Sequence, residues 1–156
     1  MPMLMKLQEY LDAHHVGYQV MAHPLAYTAQ DVARLQHIPE REMAKVVMVK
    51  TAEDTPMMLV LPATHRVDFG ALDSVLHTST ILEEEREFRG LFPDCETGAE
   101  PPFGNLFHLD TLVDTSLTRD DEILFNTGSH RETLRMRYAD YAELVHPRIA
   151  TFARAM

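Results

Sequence analysis

The chain is poor in several residue types, and each shortage excludes a class of protein. A single cysteine, Cys95, among 156 residues rules out an internal disulfide framework. No run of about 18 apolar residues occurs, as a membrane-spanning helix would require. The N-terminal segment becomes polar within a few residues, too early for a secretory signal peptide. These absences predict a cytoplasmic protein with no membrane partner.

Positive charge is also scarce. The chain has 24 acidic and 14 basic residues, a net charge of −10, and only three lysines: Lys6, Lys45 and Lys50. Proteins that coat nucleic acid need many cations to neutralise phosphates. The composition therefore excludes a general DNA-binding protein but still permits contact with one end of a nucleic acid. The acidic run at residues 83–85 is predicted to be a solvated helix face.

No metal site or strong protein nucleophile is indicated. The nine histidines show no His-x-x-x-His spacing, and no Cys-x-x-Cys pattern exists, so no metal or cofactor is implied. Cys95 lies between Asp94 and Glu96, whose carboxylates should raise the pKa of its thiol. Ser129 and His130 are adjacent and lack the glycine pattern of a nucleophile elbow, which favours a simple strand corner.

Length and apolar content (46%) fit one domain over residues 1–156. Hydrophobic periodicity and capping residues predict helices and strands in an irregular order. The predicted helices cover about 4–14, 28–38, 69–76, 83–89 and 138–145, with Thr28 and Asp68 as caps of the second and third helices. The predicted strands cover about 18–22, 44–50, 57–61, 78–82, 106–108, 111–113, 122–126 and 133–137. The strands at 44–50 and 57–61 are predicted to form a hairpin. This mixture favours an α+β fold with a curved mixed sheet over a doubly wound fold.

The segment Gly-Ala-Glu-Pro-Pro-Phe-Gly at residues 98–104 is the strongest local feature. Neither a helix nor a central strand can be built from it, because proline lacks a donor N–H and glycine admits positive φ. Such a segment is either an ordered surface turn or a ligand loop that offers free backbone groups. The segment alone does not decide between them.

Lys45 begins an apolar strand and shares a face with Val47 and Val49. It is either an edge-strand lysine that deters aggregation or a cation that projects into a pocket to bind an anion. Lys50, at the other end of the strand, fits the first interpretation well.

Six ordered segments together resemble the YbaK/prolyl-tRNA synthetase editing-domain family over about residues 20–145. They are Ala-Lys at 44–45, Val-Leu-Pro-Ala at 60–63, Arg-Val-Asp at 66–68, Gly-Ala-Glu-Pro-Pro-Phe-Gly at 98–104, Val-Asp at 113–114 and Phe-Asn-Thr-Gly-Ser at 125–129. The resemblance is to a free-standing member. It implies a YbaK-like α+β domain, with helices flanking a curved and partly barrel-like mixed sheet.

The resemblance also implies a function. Members hydrolyse the ester that joins a wrong amino acid to the 3′ end of a tRNA, typically tRNA-Pro. By correspondence, Lys45 and Gly98 are the catalytic-site residues: the lysine binds the terminal nucleotide or its phosphate, and the glycine loop holds the aminoacyl group. The implied substrate-binding residues are Ala99, Pro101, Pro102, Phe103, Gly128, Ser129 and His130.

Two points stay open in this interpretation. Val46 follows the lysine where some members have Asn or Thr, so the amino acid removed (Ala, Cys, Ser or Thr) is not fixed. A non-catalytic module that binds an aminoacyl or nucleotide ligand is the alternative function. The partners implied are the aminoacyl-tRNA acceptor end and, for tRNA affinity, a synthetase or elongation factor.

Overall fold

A computed structural model describes residues 3–156 of the chain. The helices are α1 Met5–Ala13, α2 Ala29–Leu35, α3 Phe69–Leu76, α4 Glu85–Phe88 and α5 Tyr138–Val145. The strands are β1 Tyr18–Ala22, β2 Ala44–Thr51, β3 Pro56–Pro62, β4 His65–Val67, β5 Thr80–Leu82, β6 Asp110–Asp114, β7 Glu122–Asn126, β8 Glu132–Arg137, β9 Arg148–Ala150 and β10 Ala153–Ala155.

The main sheet has five strands in the order β5-β2-β3-β6-β9. β2 and β3 form the predicted antiparallel hairpin, whereas β3–β6 and β6–β9 pair in parallel. An antiparallel sheet of β1-β8-β7 meets it through a bridge between Met43 and Leu124, and β4 pairs with β10. The α+β fold with a mixed sheet is therefore confirmed. Its sheets are not closed into a barrel.

Both faces of the β2–β3 hairpin are covered. On one face, Met48 and Val60 belong to a core cluster with Phe103, Phe125 and Tyr141. The other face packs Val49, Leu59 and Leu61 against α3 and the C-terminal segment. Burial on both sides fixes the strand register, because a slip of one residue would exchange the two faces.

Two predicted helix caps are present. The Thr28 hydroxyl accepts a hydrogen bond from the Asp31 amide at 3.0 Å, and the Asp68 carboxylate accepts one from the Ala71 amide at 3.1 Å. Each side chain satisfies an amide that the helix leaves unpaired.

The structure corrects other expectations. The predicted strand at residues 106–108 is wrong, because Gly104–Phe107 forms a 3-10 helix. The predicted helix at 83–89 begins later, at Glu85, with Glu84 as its cap. The three-residue strands β4, β9 and β10 went unpredicted, since three residues are too few to show an alternating pattern.

Among residues 3–156, no helix is long and apolar enough to span a bilayer.

Candidate functional site

The Gly98 loop and the corner at residues 127–130 are joined into one unit. Glu96 N–H donates to the Gly128 carbonyl at 2.9 Å, and Gly128 N–H donates to the Ala99 carbonyl at 2.8 Å. The Glu96 carboxylate accepts a hydrogen bond from His130 N–H at 2.9 Å. Two segments about thirty residues apart in sequence therefore hold each other in one geometry. The family resemblance implied that they lie close together.

His130 packs directly under Gly98. Its Nε2 lies 2.8 Å from the Thr97 carbonyl, which can only accept, so Nε2 carries the proton and donates. A Cβ on Gly98 would lie 3.3 Å from His130 Cε1. The exposed ring of Tyr27 covers the histidine, with ring centroids 4.7 Å apart. His130 is only 5% exposed, so it supports the loop from its buried side.

Gly98 is the exposed point of this otherwise buried unit. Its φ is +91°, a conformation that side-chain-bearing residues rarely adopt. The implied substrate-binding residues around it are buried: Ala99, Pro101, Pro102, Phe103, Gly128, Ser129 and His130. Of these, Phe103 lies in the aromatic core against Tyr141, with no exposed surface. The buried residues can position Gly98, but they present little surface to a ligand.

Two amides of the loop, those of Gly98 and Ala99, are not free, contrary to the expectation for a ligand loop with open backbone donors. Gly98 N–H donates to Glu100 Oε1 at 3.0 Å. Ala99 N–H donates to the Glu96 carbonyl at 3.0 Å. The loop therefore offers a small exposed residue and carbonyl oxygens more readily than N–H donors.

A pocket of about 270 Å³ opens beside Gly98. It lies over an edge of β2, because β5 pairs only with Val49–Thr51 and leaves residues 45–47 without a strand on that side. Residues from both faces of β2 contribute to it. The lining comprises Val46, Val47, Met48, Leu82, Glu83, Glu85, Phe88, Gly98 and Glu100.

Two buried carboxyl groups line this pocket. Glu100 is 6% exposed and Glu83 is 8% exposed, and burial raises the pKa of both carboxyls. The prediction that residues 83–85 form a solvated face is wrong for Glu83. Its amide pairs with the Met48 carbonyl at 2.9 Å, which draws the residue in beside β2.

A family model for the aminoacyl-tRNA editing domain matches residues 23–144, most of the chain and all of the site just described. The chain belongs to the aminoacyl-tRNA editing domain family. This confirms the resemblance drawn from the ordered sequence segments.

Solved structures show the same fold at low sequence identity. The hypothetical protein APE2540 has a TM-score of 0.86 at 17% identity, with 96% of this chain and 99% of that chain covered. A candidate trans-editing enzyme for prolyl-tRNA synthetase has a TM-score of 0.83 at 18% identity, with 96% of each chain covered. A candidate signal transduction protein from Marinobacter aquaeolei VT8 has a TM-score of 0.78 at 15% identity. That match covers 97% of this chain and 31% of the longer chain. No protein with a curated description matches the sequence.

Lys45 of this editing domain is half-buried at the start of β2, opposite Leu61. Burial lowers the pKa of its ammonium group. Within residues 3–156 it makes no ion pair or side-chain hydrogen bond, whereas Lys50 is paired with Glu87. Lys45 is adjacent in sequence to Val46 of the pocket but is not itself a lining residue. The structure thus brings Gly98 and His130 together, whereas Lys45 lies outside the pocket lining.

Cys95 and Ser129 show no sign of nucleophilic chemistry. Burial, followed by the Glu100 and Asp94 carboxylates, raises the pKa of the Cys95 thiol to about 12. The Ser129 hydroxyl is buried and accepts a hydrogen bond from Arg131 N–H at 3.1 Å, as a turn residue would. Among the described residues, no group of three or more His, Cys, Asp or Glu side chains could hold a metal ion.

Cys95→Ser should keep most of the activity of this domain, because a thiol with so high a pKa supplies almost no thiolate at neutral pH. The check is kcat/KM on the best mischarged tRNA, measured beside a circular dichroism melt. A loss of about a hundredfold, or 2.7 kcal/mol of transition-state stabilisation, would revive a thiol mechanism.

Proposed function

We propose that this editing domain is a trans-acting aminoacyl-tRNA deacylase of the cytoplasm. Its substrate is tRNA-Pro that carries a small wrong amino acid such as Ala, Cys, Ser or Thr, and its role is translation fidelity. The observation that carries the proposal is the exposed Gly98, fixed at positive φ over His130 beside the pocket. The family match and the similar fold of the candidate trans-editing enzyme support it.

The pocket has the size and walls for a small amino acid. A volume of about 270 Å³ is enough for a small side chain and its ester group. Val46, Met48 and Phe88 supply apolar walls, and Gly98 lets the ester approach the backbone closely.

The reaction needs no protein nucleophile, because an aminoacyl ester is already activated. The oxygen of a water molecule attacks the ester carbonyl carbon and gives up a proton, which the neighbouring ribose hydroxyl can relay. The bond from that carbon to the ribose oxygen then breaks, and the ribose oxygen takes up a proton. With water, the products are the free amino acid and the uncharged tRNA. The protein contributes orientation of the ester.

The proposal is tested with a panel of tRNAs, each charged with a correct or a wrong amino acid. Release of amino acid from tRNA-Pro charged with Ala, Cys, Ser or Thr, but not from correctly charged tRNA, is the expected result. No release from any member would favour the alternative, a module that binds an aminoacyl or nucleotide ligand without catalysis. Repeating the panel with a synthetase or elongation factor present tests whether a partner supplies tRNA affinity to this acidic chain.

Lys45→Ala is expected to lower kcat/KM by on the order of 10–100-fold without unfolding the domain, because it removes a cation that pairs with no other side chain of residues 3–156 and that the family resemblance assigns to the end of the tRNA. Lys50→Ala is the matched control: the same substitution on the same strand at a lysine already paired with Glu87. Wild-type rates for Lys45→Ala would show that Lys45 has no role in the reaction. A loss of folded structure by circular dichroism would show instead that it is structural.

A further inference from the structure

The pocket beside Gly98 presents hydrogen-bond acceptors and few donors. The carboxyl groups of Glu83 and Glu100 line it. The Gly98 amide is occupied by Glu100 Oε1, while the Gly98 carbonyl accepts no hydrogen bond from residues 3–156. Such a lining suits a ligand that donates hydrogen bonds and carries positive charge.

Among residues 3–156, no cation pairs with Glu83. Its Oε1 is shielded from solvent and has no hydrogen-bond partner within residues 3–156. Lys50, a cation near enough to influence it, is hydrogen-bonded to Glu87 instead. A buried carboxylate without a partner is costly, and a bound cation would offset that cost.

Glu100 is placed where the reacting end of a ligand would lie. One of its oxygens holds the amide of Gly98, and its other oxygen, Oε2, accepts no hydrogen bond from any other residue of the described chain. The side chain is 94% shielded from solvent, so an ion pair formed there would be little weakened by water.

The ligand chemistry follows from the acceptors, the charge and the volume. Phosphates and carboxylates would be repelled by two glutamates. A primary ammonium group brings three donors and one positive charge. In an aminoacyl ester, the α-ammonium group lies on the carbon next to the ester carbonyl, so a residue that holds it also sets the position of the reacting carbon.

We propose that Glu100 pairs with the α-ammonium group of the aminoacyl ester and that Glu83 adds negative charge to the same pocket, so that this protein acts on esters whose α-amine is free. The inference rests on the proposed deacylase function. N-acylated esters, including peptidyl-tRNA, have no α-ammonium group and are excluded.

The experiment compares kcat/KM of the full chain on alanyl-tRNA-Pro and on the same tRNA after N-acetylation of the alanine. For the wild type, acetylation should lower kcat/KM by at least about a hundredfold, because the buried carboxylates lose their partner. Glu100→Gln and Glu83→Gln should be slower on the free amine and should discriminate less between the two substrates. Glu143→Gln, the same substitution on the exposed side of α5, should keep the wild-type ratio.

The outcomes separate this inference from the deacylase proposal. Equal rates of the wild type on both substrates would overturn the inference and leave the deacylase intact. The inference would also be overturned if both glutamine variants kept the wild-type ratio of kcat/KM on the free-amine substrate to kcat/KM on the acetylated substrate. No hydrolysis of any mischarged tRNA by the wild type would overturn both proposals. The wild-type comparison needs no variant, so the inference can be tested even where a substitution prevents folding.

Discussion

Replacing Gly104 with alanine is expected to lower the stability of the domain by about 3 kcal/mol, the upper part of the range for overpacking a buried position. Gly104 is buried, and a Cβ there would overlap Thr111 Oγ1 and lie 2.8 Å from the Leu109 carbonyl oxygen. The threonine could rotate, but the backbone of residue 109 is held by a hydrogen bond to Gly104 itself. For a chain of this length, the melting temperature should fall by about 6–12 °C.

Gly17→Ala is the matched control for this experiment. Gly17 has no neighbouring atom within 4 Å of an added Cβ and no positive φ, so its stability change should stay within about 0.5 kcal/mol. Thermal melts of both variants, followed by circular dichroism, give the comparison. Equal melting temperatures for Gly104→Ala and the wild type would mean that the turn into β6 relaxes easily.

Gly98→Ala is expected to reduce kcat/KM by on the order of a hundredfold, because the added methyl group would lie on the His130 side of the loop and shift the loop out of the geometry that holds the ester. It should also cost about 1–2 kcal/mol of stability, since φ at this position is +91°. The methyl group would also press on His130 at 3.3 Å.

Gly128→Ala is the control that separates the loss of activity from the loss of stability. Gly128 also has a positive φ, +97°, but it is buried and absent from the pocket lining. Its substitution should cost comparable stability and less activity than Gly98→Ala when both are assayed well below their melting temperatures. A Gly98→Ala variant that is less stable yet turns over normally would show that the loop is only scaffold.

Local patterns allowed much of the fold to be predicted from sequence. The β2–β3 hairpin follows from two apolar runs around a polar turn, and α2 follows from Thr28 as its cap. The family resemblance implied that the Gly98 loop and the 127–130 corner lie near each other, and hydrogen bonds do join the two segments.

The features of the site that could not be predicted from the sequence depend on contacts between residues far apart in the chain. Glu83 belongs to an acidic run that resembles a solvated face, and only its pairing with Met48 buries it. Glu100 lies inside a recognised motif, but nothing local shows that its carboxylate occupies the Gly98 amide. The position of Lys45 relative to the pocket depends on where β5 stops pairing with β2.

Multiple-turnover hydrolysis of tRNA-Pro charged with alanine tests the central claim most directly. The substrate is supplied at roughly tenfold excess over the 156-residue chain, and release of labelled alanine is followed beside correctly charged prolyl-tRNA. A deacylase of the kind proposed releases alanine well beyond one equivalent of protein and leaves the prolyl ester intact. Tight binding of the charged tRNA with no release above the protein-free rate would contradict it.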